Sequence, residues 1–433
     1  MLFRKAIIAG MLGAAALLPT RNAAATDLKL SLGAAGEYDS NIFHREDKIR
    51  DDFVVIGIPQ IELLDTEGKF TYDVGYIFPY QHSIQTNALR DFSHVANASA
   101  DYHLSDQTQL SFSNRFSYLD SLNNNFDSST PNVADNQKRQ RVLRNDASLG
   151  AVYLISPRLS SQSSFDQEVF SSSQNDRSDN QTYSLSSGLD YLVSERQRAG
   201  GGLSFSYMNF ANATQNVTFL GVPATQDLPA SQSIFVGPYL QWSYQIDEQS
   251  RFRISGGPNY VKSKQDEIDI RSVNNVPSVP PILVQSSSSD SRVAFLGSFL
   301  LDRRWSPTMI SALQYQRRQD TASGVSGSAI LDAVGLTHSW NFAETWSLGL
   351  RGDWTQRKGA TNLDQGGVDQ LDTQRWGTGA VLSKQITRNF AGSLRYQYAK
   401  QSSAGNSPGS STDFDDHIVT LGFNYSLDPI KVW

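Results

Sequence analysis

Large apolar residues alternate with small polar residues through most of this sequence, and this alternation restricts its fold more than any other feature. The pattern is clearest near the end of the chain, in the stretch HIVTLGFNYSL. The large residues there are His417, Val419, Leu421, Phe423, Tyr425 and Leu427. Because a period of two residues puts successive side chains on opposite faces of a strand, the stretch is predicted to be a β-strand with one apolar face.

The alternation recurs along the chain after residue 26. Clear examples are TQLSFSNRFSYLD (108–120), SIFVGPYLQWSYQI (233–246) and TWSLGLRGDW (345–354). These spans match the length of about 9–11 residues that a tilted strand needs to cross a bilayer. The chain has 22 Phe, 17 Tyr and 31 Gly, and no helical pattern follows the first 25 residues. The sequence therefore predicts an all-β protein whose apolar faces contact lipid.

Connections between the predicted strands come in two lengths, which alternate along the chain. Short turns fall at 65–68 and 341–344, among others, whereas long polar segments include 122–140 and 358–372. Short turns at one rim and long loops at the other are typical of outer-membrane barrels. We predict a single transmembrane antiparallel β-barrel in residues 26–433, with about eighteen strands and sixteen as the alternative.

Residues 1–25 have the features of a cleaved secretory signal peptide. The basic start MLFRK precedes the apolar run AIIAGMLGAAALL, and Ala23, Ala24 and Ala25 stand before Thr26. A basic start, a short apolar run and small residues at the cleavage site are the three parts of such a signal. The mature chain is therefore expected to cross the periplasm and insert into the lipid of a bacterial outer membrane.

Composition excludes several other classes of protein. The chain contains no Cys, which excludes disulfides and cysteine zinc sites. Its formal net charge is −6 without a basic stripe, so no nucleic-acid partner is expected. The six His lack zinc-binding spacing, and no phosphate-binding loop, dinucleotide fingerprint or nucleophile elbow occurs. We therefore assign no catalytic, cofactor-binding or metal-binding residue, and we do not expect an enzyme.

Several charged residues fall on the polar face of their predicted strands, which is the face toward the pore. They are Asp73, Asp101, Arg115, Asp190, Arg253, Arg351, Asp353 and Arg395. Charges inside a pore can set its selectivity through the local field. The alternative is that Arg–Asp pairs only brace the wall, and the sequence favours neither interpretation.

Two features fit the alternation poorly. The segment 291–302 is apolar on both faces, which predicts either a patch of the lumen covered by an inward-folded loop or an irregularity without function. The second interpretation is favoured at this point. The dipeptides Gly237-Pro238 and Gly257-Pro258 fall inside predicted strands, where proline removes a ladder donor, so bulges or kinks are expected there.

Short motifs over nearly the whole mature chain resemble a known family. They are GEYDSNIF (36–43), YHLSDQTQLSF (102–112), YLISPRLSS (153–161), GGPNY (256–260) and TLGFNYSL (420–427). The resemblance is to β-barrel porins of Gram-negative bacteria that are often encoded with exopolysaccharide synthesis and export machinery. It implies one wide barrel that passes polysaccharide or small solutes, with periplasmic polysaccharide-export proteins as partners. Glu37, Asp39 and Asn41 of the first motif are expected to have a role at the rim or in a turn.

The last strand resembles the terminal signal that the barrel-assembly machinery reads in outer-membrane proteins. The residues that match are Thr420, Gly422, Tyr425 and Leu427. The resemblance implies that this machinery is a partner. The same strand is expected to pair with the first strand near Leu28–Tyr38, because a barrel in lipid leaves no open edge. Asp428-Pro429 is expected to end the ladder, with Trp433 carried on toward the membrane interface.

Three functions remain open from the sequence. The preferred one is a water-filled conduit for exopolysaccharide export, in which polar and charged lumen groups act on the passing solute. The second is a general diffusion porin for small solutes. The third is a surface structural or adhesive barrel whose lumen is blocked.

Overall fold

The computed structural model describes residues 26–44, 49–86, 90–120, 141–172, 179–211, 213–219, 222–228, 230–265, 268–272, 284–285, 288–321, 328–359, 373–403 and 413–432. The predicted signal peptide, Trp433 and most of the predicted long loops lie outside these residues. In the described ranges, no helix is long and apolar enough to cross a membrane.

The described residues form 25 β-strands. They are β1 (Asp27–Asp39), β2 (Asp52–Asp65), β3 (Phe70–Ile77), β4 (Tyr80–Ser83), β5 (Arg90–Phe92), β6 (His94–His103), β7 (Thr108–Asp120), β8 (Arg141–Ser156), β9 (Leu159–Ser172), β10 (Asn180–Ser194), β11 (Gln197–Phe210), β12 (Ala213–Phe219), β13 (Val222–Leu228), β14 (Ser231–Gln245), β15 (Ser250–Gln265), β16 (Ile268–Ser272), β17 (Val284–Gln285), β18 (Ser288–Ser306), β19 (Met309–Thr321), β20 (Ser328–Ala343), β21 (Trp346–Gly359), β22 (Thr373–Thr387), β23 (Phe390–Ser403), β24 (Phe414–Ser426) and β25 (Ile430–Lys431).

Eighteen of these strands form one antiparallel sheet that closes into a barrel. The short strands β4, β5 and β25 join the same sheet at its margins, whereas β12, β13, β16 and β17 form a separate small sheet. The predicted all-β barrel is therefore confirmed, and the strand number is eighteen and not sixteen. A barrel of this size is wide enough to enclose an aqueous channel.

The two ends of the barrel differ in their connections. Turns of two to four residues join β2 to β3, β6 to β7, β8 to β9, β10 to β11, β14 to β15, β18 to β19, β20 to β21 and β22 to β23. The other connections between consecutive strands of the eighteen are longer, and both ends of the barrel sheet, at Asp27 and Ser426, lie with the short turns. We call these two ends the short-turn rim and the long-loop rim.

The first and last strands close the barrel as the sequence predicts. Their register runs from Ser31 opposite Ser426 to Asp39 opposite Ile418. The prediction that Asp428-Pro429 ends the ladder is wrong in one respect. Pairing with β1 resumes in β25, where Ile430 lies opposite Leu28. The interruption is local because proline lacks only its own N–H donor, and the next residues can bond again.

Side-chain exposure follows the predicted two-residue period. In β24 the odd positions from His417 to Tyr425 face outward and are exposed, whereas most even positions are less exposed. In β14 the outward Leu240 is 74% exposed. It lies opposite Gly201 of β11 and Gly256 of β15, which have no side chains to cover it. The outer surface is therefore a wide band of exposed Leu, Val, Ile, Phe, Tyr and Trp.

The two Gly-Pro dipeptides interrupt the ladder between β14 and β15. Pairing runs to Val236 opposite Tyr260 and starts again at Leu240 opposite Gly256. A Cβ atom on Gly257 would lie 1.9 Å from the carbonyl oxygen of Pro238. Only glycine allows this close approach of the two backbones. The register is the same on both sides of the gap, so the predicted bulge is absent and the ladder is only interrupted.

Asp247 stabilises the turn between β14 and β15, because its carboxylate accepts a 2.8 Å hydrogen bond from the Gln249 backbone amide. This bond is the main reason that the pKa of Asp247 is lowered from 3.8. A carboxyl with a lowered pKa stabilises the folded turn above its ordinary pKa and loses that effect as the pH falls through the lowered value. We therefore expect amide exchange at Gln249 to quicken as the pH falls below the ordinary aspartate range.

Hydrogen exchange corrected for intrinsic rates measures this effect. An Asp247→Asn variant is the control, because its side chain accepts the same bond without titrating. Equal pH dependence in the two proteins would contradict the assignment.

Candidate functional site

The lumen is the candidate functional site, since it is the surface on which the predicted pore residues lie. All eight take the inner face of their strands, opposite in parity to the exposed apolar residues. They are spread around the wall and not gathered in one cluster: Asp73 (β3), Asp101 (β6), Arg115 (β7), Asp190 (β10), Arg253 (β15), Arg351 and Asp353 (β21) and Arg395 (β23). Their effect on selectivity stays a prediction.

Inward side chains become more buried toward the long-loop rim. In β15 the inward residues Arg251 and Arg253 are exposed near the short turns, whereas Asn259 and Val261 are buried near the other end. In β24, which runs the opposite way, Asp416 is buried near the long-loop rim. The same gradient occurs in β2, β11, β14 and β21. The lumen is therefore open toward the short turns and filled toward the long loops.

Part of the filling comes from residues 40–44, which follow β1. Ile42 is fully buried against Val54 and Ile56 on the inner face of β2. The Asn41 amide nitrogen donates to the carbonyl oxygen of Asp415 at 3.0 Å. The His44 ring lies 3.2 Å from the carboxylate of Asp416. This segment therefore folds into the mouth of the barrel and crosses the seam between the first and last strands.

The motif GEYDSNIF, which carried part of the family resemblance, forms this inward turn. The Asn41 backbone N–H donates to the Asp39 carboxylate at 2.8 Å, which closes an Asx turn. The Glu37 carboxylate accepts a 3.0 Å hydrogen bond from the hydroxyl of Thr420 across the seam. These contacts agree with the expected rim and turn roles of the three residues.

The wall divides between β18 and β19. Their pairing ends at Gly297 opposite Arg317, while residues 288–296 of β18 stay paired with β15. β19 and β20 remain paired with each other up to Thr321 opposite Ser328. The ends of β19 and β20 near the long-loop rim therefore separate from β18 as one hairpin, while β20 stays paired with β21 up to Ala329 opposite Gly359. We call residues 318–321 and 328–331 the inner hairpin.

The inner hairpin lies inside the barrel. The Gln319 amide donates to the Ser184 hydroxyl of β10 at 3.4 Å, although four strands stand between β10 and β19 in the sheet. Ser184 is on the inner face of β10. Gln319 is on the same face of β19 as Leu313, which faces outward nearer the short-turn rim. A residue on the outer face of β19 therefore contacts the inner face of β10. This contact is possible only because the hairpin lies inside the barrel.

Ile330, directly opposite Gln319, packs on the inner wall as well. It is 4% exposed and belongs to an apolar cluster with inward residues of four strands. The partners are Met208, Phe210, Phe235, Val261 and Ala294, with Leu296 packed against them. The favoured interpretation of 291–302 as a functionless irregularity is therefore wrong. Ala294 and Leu296, on the inner face of this segment, are apolar because they pack in the cluster that contains Ile330 of the hairpin.

Salt bridges brace the inner wall at several levels. Arg357 and Asp320 of the inner hairpin meet at 2.9 Å, and both are largely buried. Arg351 contacts Asp353 at 3.2 Å. These contacts, with that of Asp190 and Arg198 at 3.8 Å, agree with a bracing role for part of the predicted set.

Other predicted residues have different surroundings. The Asp101 carboxylate accepts a hydrogen bond from Gln109 at 3.2 Å, and Arg115 lies directly opposite Asp146 in the ladder of β7 and β8. For Arg253 and Arg395, no ion pair with a described residue is formed. One carboxylate oxygen of Asp73 is buried without a hydrogen-bond partner among the described residues.

The residues predicted to form the assembly signal lie on both faces of β24 and just beyond it. Thr420 and Gly422 face inward, whereas Tyr425 and Leu427 are exposed. A Cβ atom on Gly422 would come within 3.3 Å of the Ser393 hydroxyl, so the position has little spare space. Recognition of this strand by the assembly machinery stays a prediction.

Sequence reasoning missed the inner hairpin and its contacts. No local sequence pattern marked the residues that hold the hairpin, because their partners lie far away in the sequence. These residues are Gln319, Asp320, Ile330 and Arg357. The doubly apolar segment of β18 was the one available indication. No group of three or more residues suited to hold a metal ion occurs within the described part of the chain.

No protein-family model matches the chain, and no curated protein matches it. Solved outer-membrane proteins are similar to it in structure. The ferric-catecholate import receptor Fiu of Escherichia coli covers 94% of the chain with 82% of its own length, at 9% identity and a TM-score of 0.47. The iron transporter FrpB of Neisseria meningitidis covers 94% with 83% of its length, at 9% identity and 0.45.

OpdL of Pseudomonas aeruginosa also covers 94% of the chain, with 99% of its own length, at 12% identity and a TM-score of 0.39. Likeness at this level concerns the barrel architecture and carries no information about the solute. Function is therefore inferred from the residues of the chain itself.

Proposed function

We propose that this protein is an outer-membrane channel that lets small polar solutes pass by diffusion. A closed barrel with an apolar outer band satisfies its backbone groups internally and can stand in lipid. Its inner wall carries Ser, Thr, Asn, Arg and carboxylate side chains, which can replace part of the hydration of a passing solute. Short turns lie on the periplasmic side of such barrels, which puts the long-loop rim outside the cell.

The observation that carries the choice of small solutes is the inner hairpin. It lies inside the lumen near the long-loop rim and packs on the inner wall through Ile330 and Gln319. The ladder with β21 and the Asp320–Arg357 pair hold it in place. A lumen narrowed in this way admits small molecules more readily than a polymer chain. Ions and hydrated solutes entering from the periplasm would meet exposed arginines near the short turns, among them Arg251 and Arg253.

Exopolysaccharide export is the second candidate. It is supported by the resemblance of the GEYDSNIF and TLGFNYSL motifs and by the open periplasmic half of the lumen, which could accept polymer from export proteins. This function would require the inner hairpin to leave the lumen. The assembly machinery is proposed as a partner only because the last strand of this chain resembles the terminal signal that the machinery reads.

Conductance in planar bilayers tests the proposal. We expect the purified, heat-modifiable protein to give stable channels, because a barrel of this width holds continuous water. Channels that stay closed under all voltages and salts would contradict it and favour the blocked surface barrel. Deleting the gene and measuring secreted polysaccharide separates the two conduits: unchanged secretion removes export, whereas loss of polymer contradicts the choice of small solutes.

A further inference from the structure

A cavity on the inner wall lies beside the inner hairpin. Its volume is about 390 Å³, and it is lined by inward residues of β6, β7, β8, β9 and β10. Ser184, which accepts the hydrogen bond of Gln319, is part of its lining. The hairpin therefore borders this cavity, and a solute in the narrow part of the lumen would have access to it.

Four serine residues lie on the wall of the cavity. Ser99, Ser113, Ser148 and Ser184 lie in one row, because each is paired with the next in the ladder directly or through Asp166. The Ser184 hydroxyl also donates to Ser206 at 3.0 Å. Such a surface offers many weak donors and acceptors at short spacing, which suits the hydroxyl groups of a polyol or sugar.

Thr182 adds a hydroxyl that no described residue bonds. It lines the cavity, is 7% exposed, and its hydroxyl makes no hydrogen bond with any described residue. A buried hydroxyl without a partner costs free energy that a bound solute can recover. Asn180, two residues away on the same face, likewise has no partner for either side-chain amide atom within the described ranges.

The carboxylates that line the cavity differ in whether a cation contacts them. Arg144 contacts Asp146 at 3.0 Å and Glu168 at 3.2 Å, so these two carboxylates have a cation beside them. Arg115 also lines the cavity and lies opposite Asp146 in the ladder. Asp166 is exposed, forms no salt bridge with a described residue, and accepts one 3.2 Å hydrogen bond from Ser164. It lies between Ser148 and Ser184 in the ladder. An uncompensated carboxylate surrounded by hydroxyls favours a ligand that carries both a positive charge and hydroxyl groups.

We propose that this cavity is a binding subsite for small polyhydroxylated solutes that carry a protonated amine. Asp166 would accept the ammonium group, and Thr182 with the serine row would bond the hydroxyls. The inference rests on the proposed channel function, because it names the class of solute that the channel retains on its way through. In this subsite Asp166 is the residue that selects for the amine, and Thr182 is a contact for the hydroxyl groups that all such solutes share.

Equilibrium binding to the folded barrel in detergent tests the subsite without requiring transport. The probes are glucosamine, glucose and glucuronate, which share one ring and differ in charge. We expect glucosamine to bind most tightly and glucuronate least. Because Asp166 is exposed and water screens an ion pair there, Asp166→Asn should weaken glucosamine binding about two- to fivefold and leave glucose nearly unchanged.

Two further variants complete the test. Thr182→Val keeps the side-chain shape and should weaken glucosamine and glucose alike. Asp302→Asn removes the same charge from a residue outside the cavity, where Asp302 pairs with Arg251, and should change neither affinity. Equal affinity for the three probes, no binding of glucosamine, or glucosamine binding that Asp166→Asn leaves intact would each overturn the subsite.

Conductance measured in parallel separates the two proposals. A barrel that conducts but does not bind glucosamine would refute the subsite and leave the channel standing. Binding by a barrel that never conducts would refute the channel and leave the cavity as a binding site.

Discussion

Replacing Ile330 with aspartate is expected to raise the single-channel conductance several-fold. Ile330 is buried in an apolar cluster, where an ionised carboxylate without a partner is strongly unfavourable. The inner hairpin should therefore separate from the inner faces of β11, β14, β15 and β18 rather than bury the charge. Once it has left, the outer half of the lumen is no longer narrowed by the hairpin. Planar-bilayer recording of the variant beside the native protein measures the change.

Ile330→Leu is the matched control, because it keeps the apolar contact and nearly the same volume. It should conduct like the native barrel. A thiol pair reports the hairpin position independently: the chain has no Cys, so Ser184→Cys with Gln319→Cys provides the sole reactive groups. A short bifunctional reagent should join them in the native background and not in Ile330→Asp. Unchanged conductance together with undiminished cross-linking would contradict the assigned role of Ile330.

Replacing Leu240 with arginine is expected to destabilise the barrel by about 2–4 kcal/mol, whereas arginine at the next residue, Gln241, should have little effect. Leu240 faces outward at the middle of β14 and is the most exposed of the large apolar residues in the described ranges. Gln241 faces the lumen, where water can solvate a charge. The two substitutions introduce the same side chain at adjacent positions and differ only in whether it faces the lipid or the lumen.

Urea unfolding of the barrel in lipid vesicles, followed by heat modifiability on gels, measures both variants. Equal destabilisation by the two arginines would mean that the outward face is not in lipid. Equal tolerance of both would lead to the same conclusion, since a barrel in water could accept a charge on either face.

Much of the fold could be predicted from the sequence because it depends on local patterns. The two-residue period of HIVTLGFNYSL defines a strand and its faces wherever that strand lies. The regular change from short turns to long loops gave the antiparallel order and the number of strands. Closure between β1 and β24 followed from the requirement that lipid leaves no open edge.

The interior of the outer half could not be predicted in this way. Ile330 has the parity of a lipid-facing residue, and so has Gln319, yet both lie inside the barrel. Their location depends on where the ladder of β18 and β19 ends, which is decided by contacts with β10, β11, β14 and β15. Such contacts join residues that are distant in the sequence, as Gln319 and Ser184 are at 135 positions, and no short pattern records them. Thr182 and Asp166 were missed for the same reason.

Polymer exclusion from each side of the membrane tests the central claim most directly. Non-electrolyte polymers of graded size are added to one side of a planar bilayer that holds channels of known orientation, and the loss of conductance is recorded. A lumen that is open toward the short turns and narrowed toward the long loops should admit larger polymers from the short-turn side. The same size limit from both sides, or a larger limit from the long-loop side, would contradict the account.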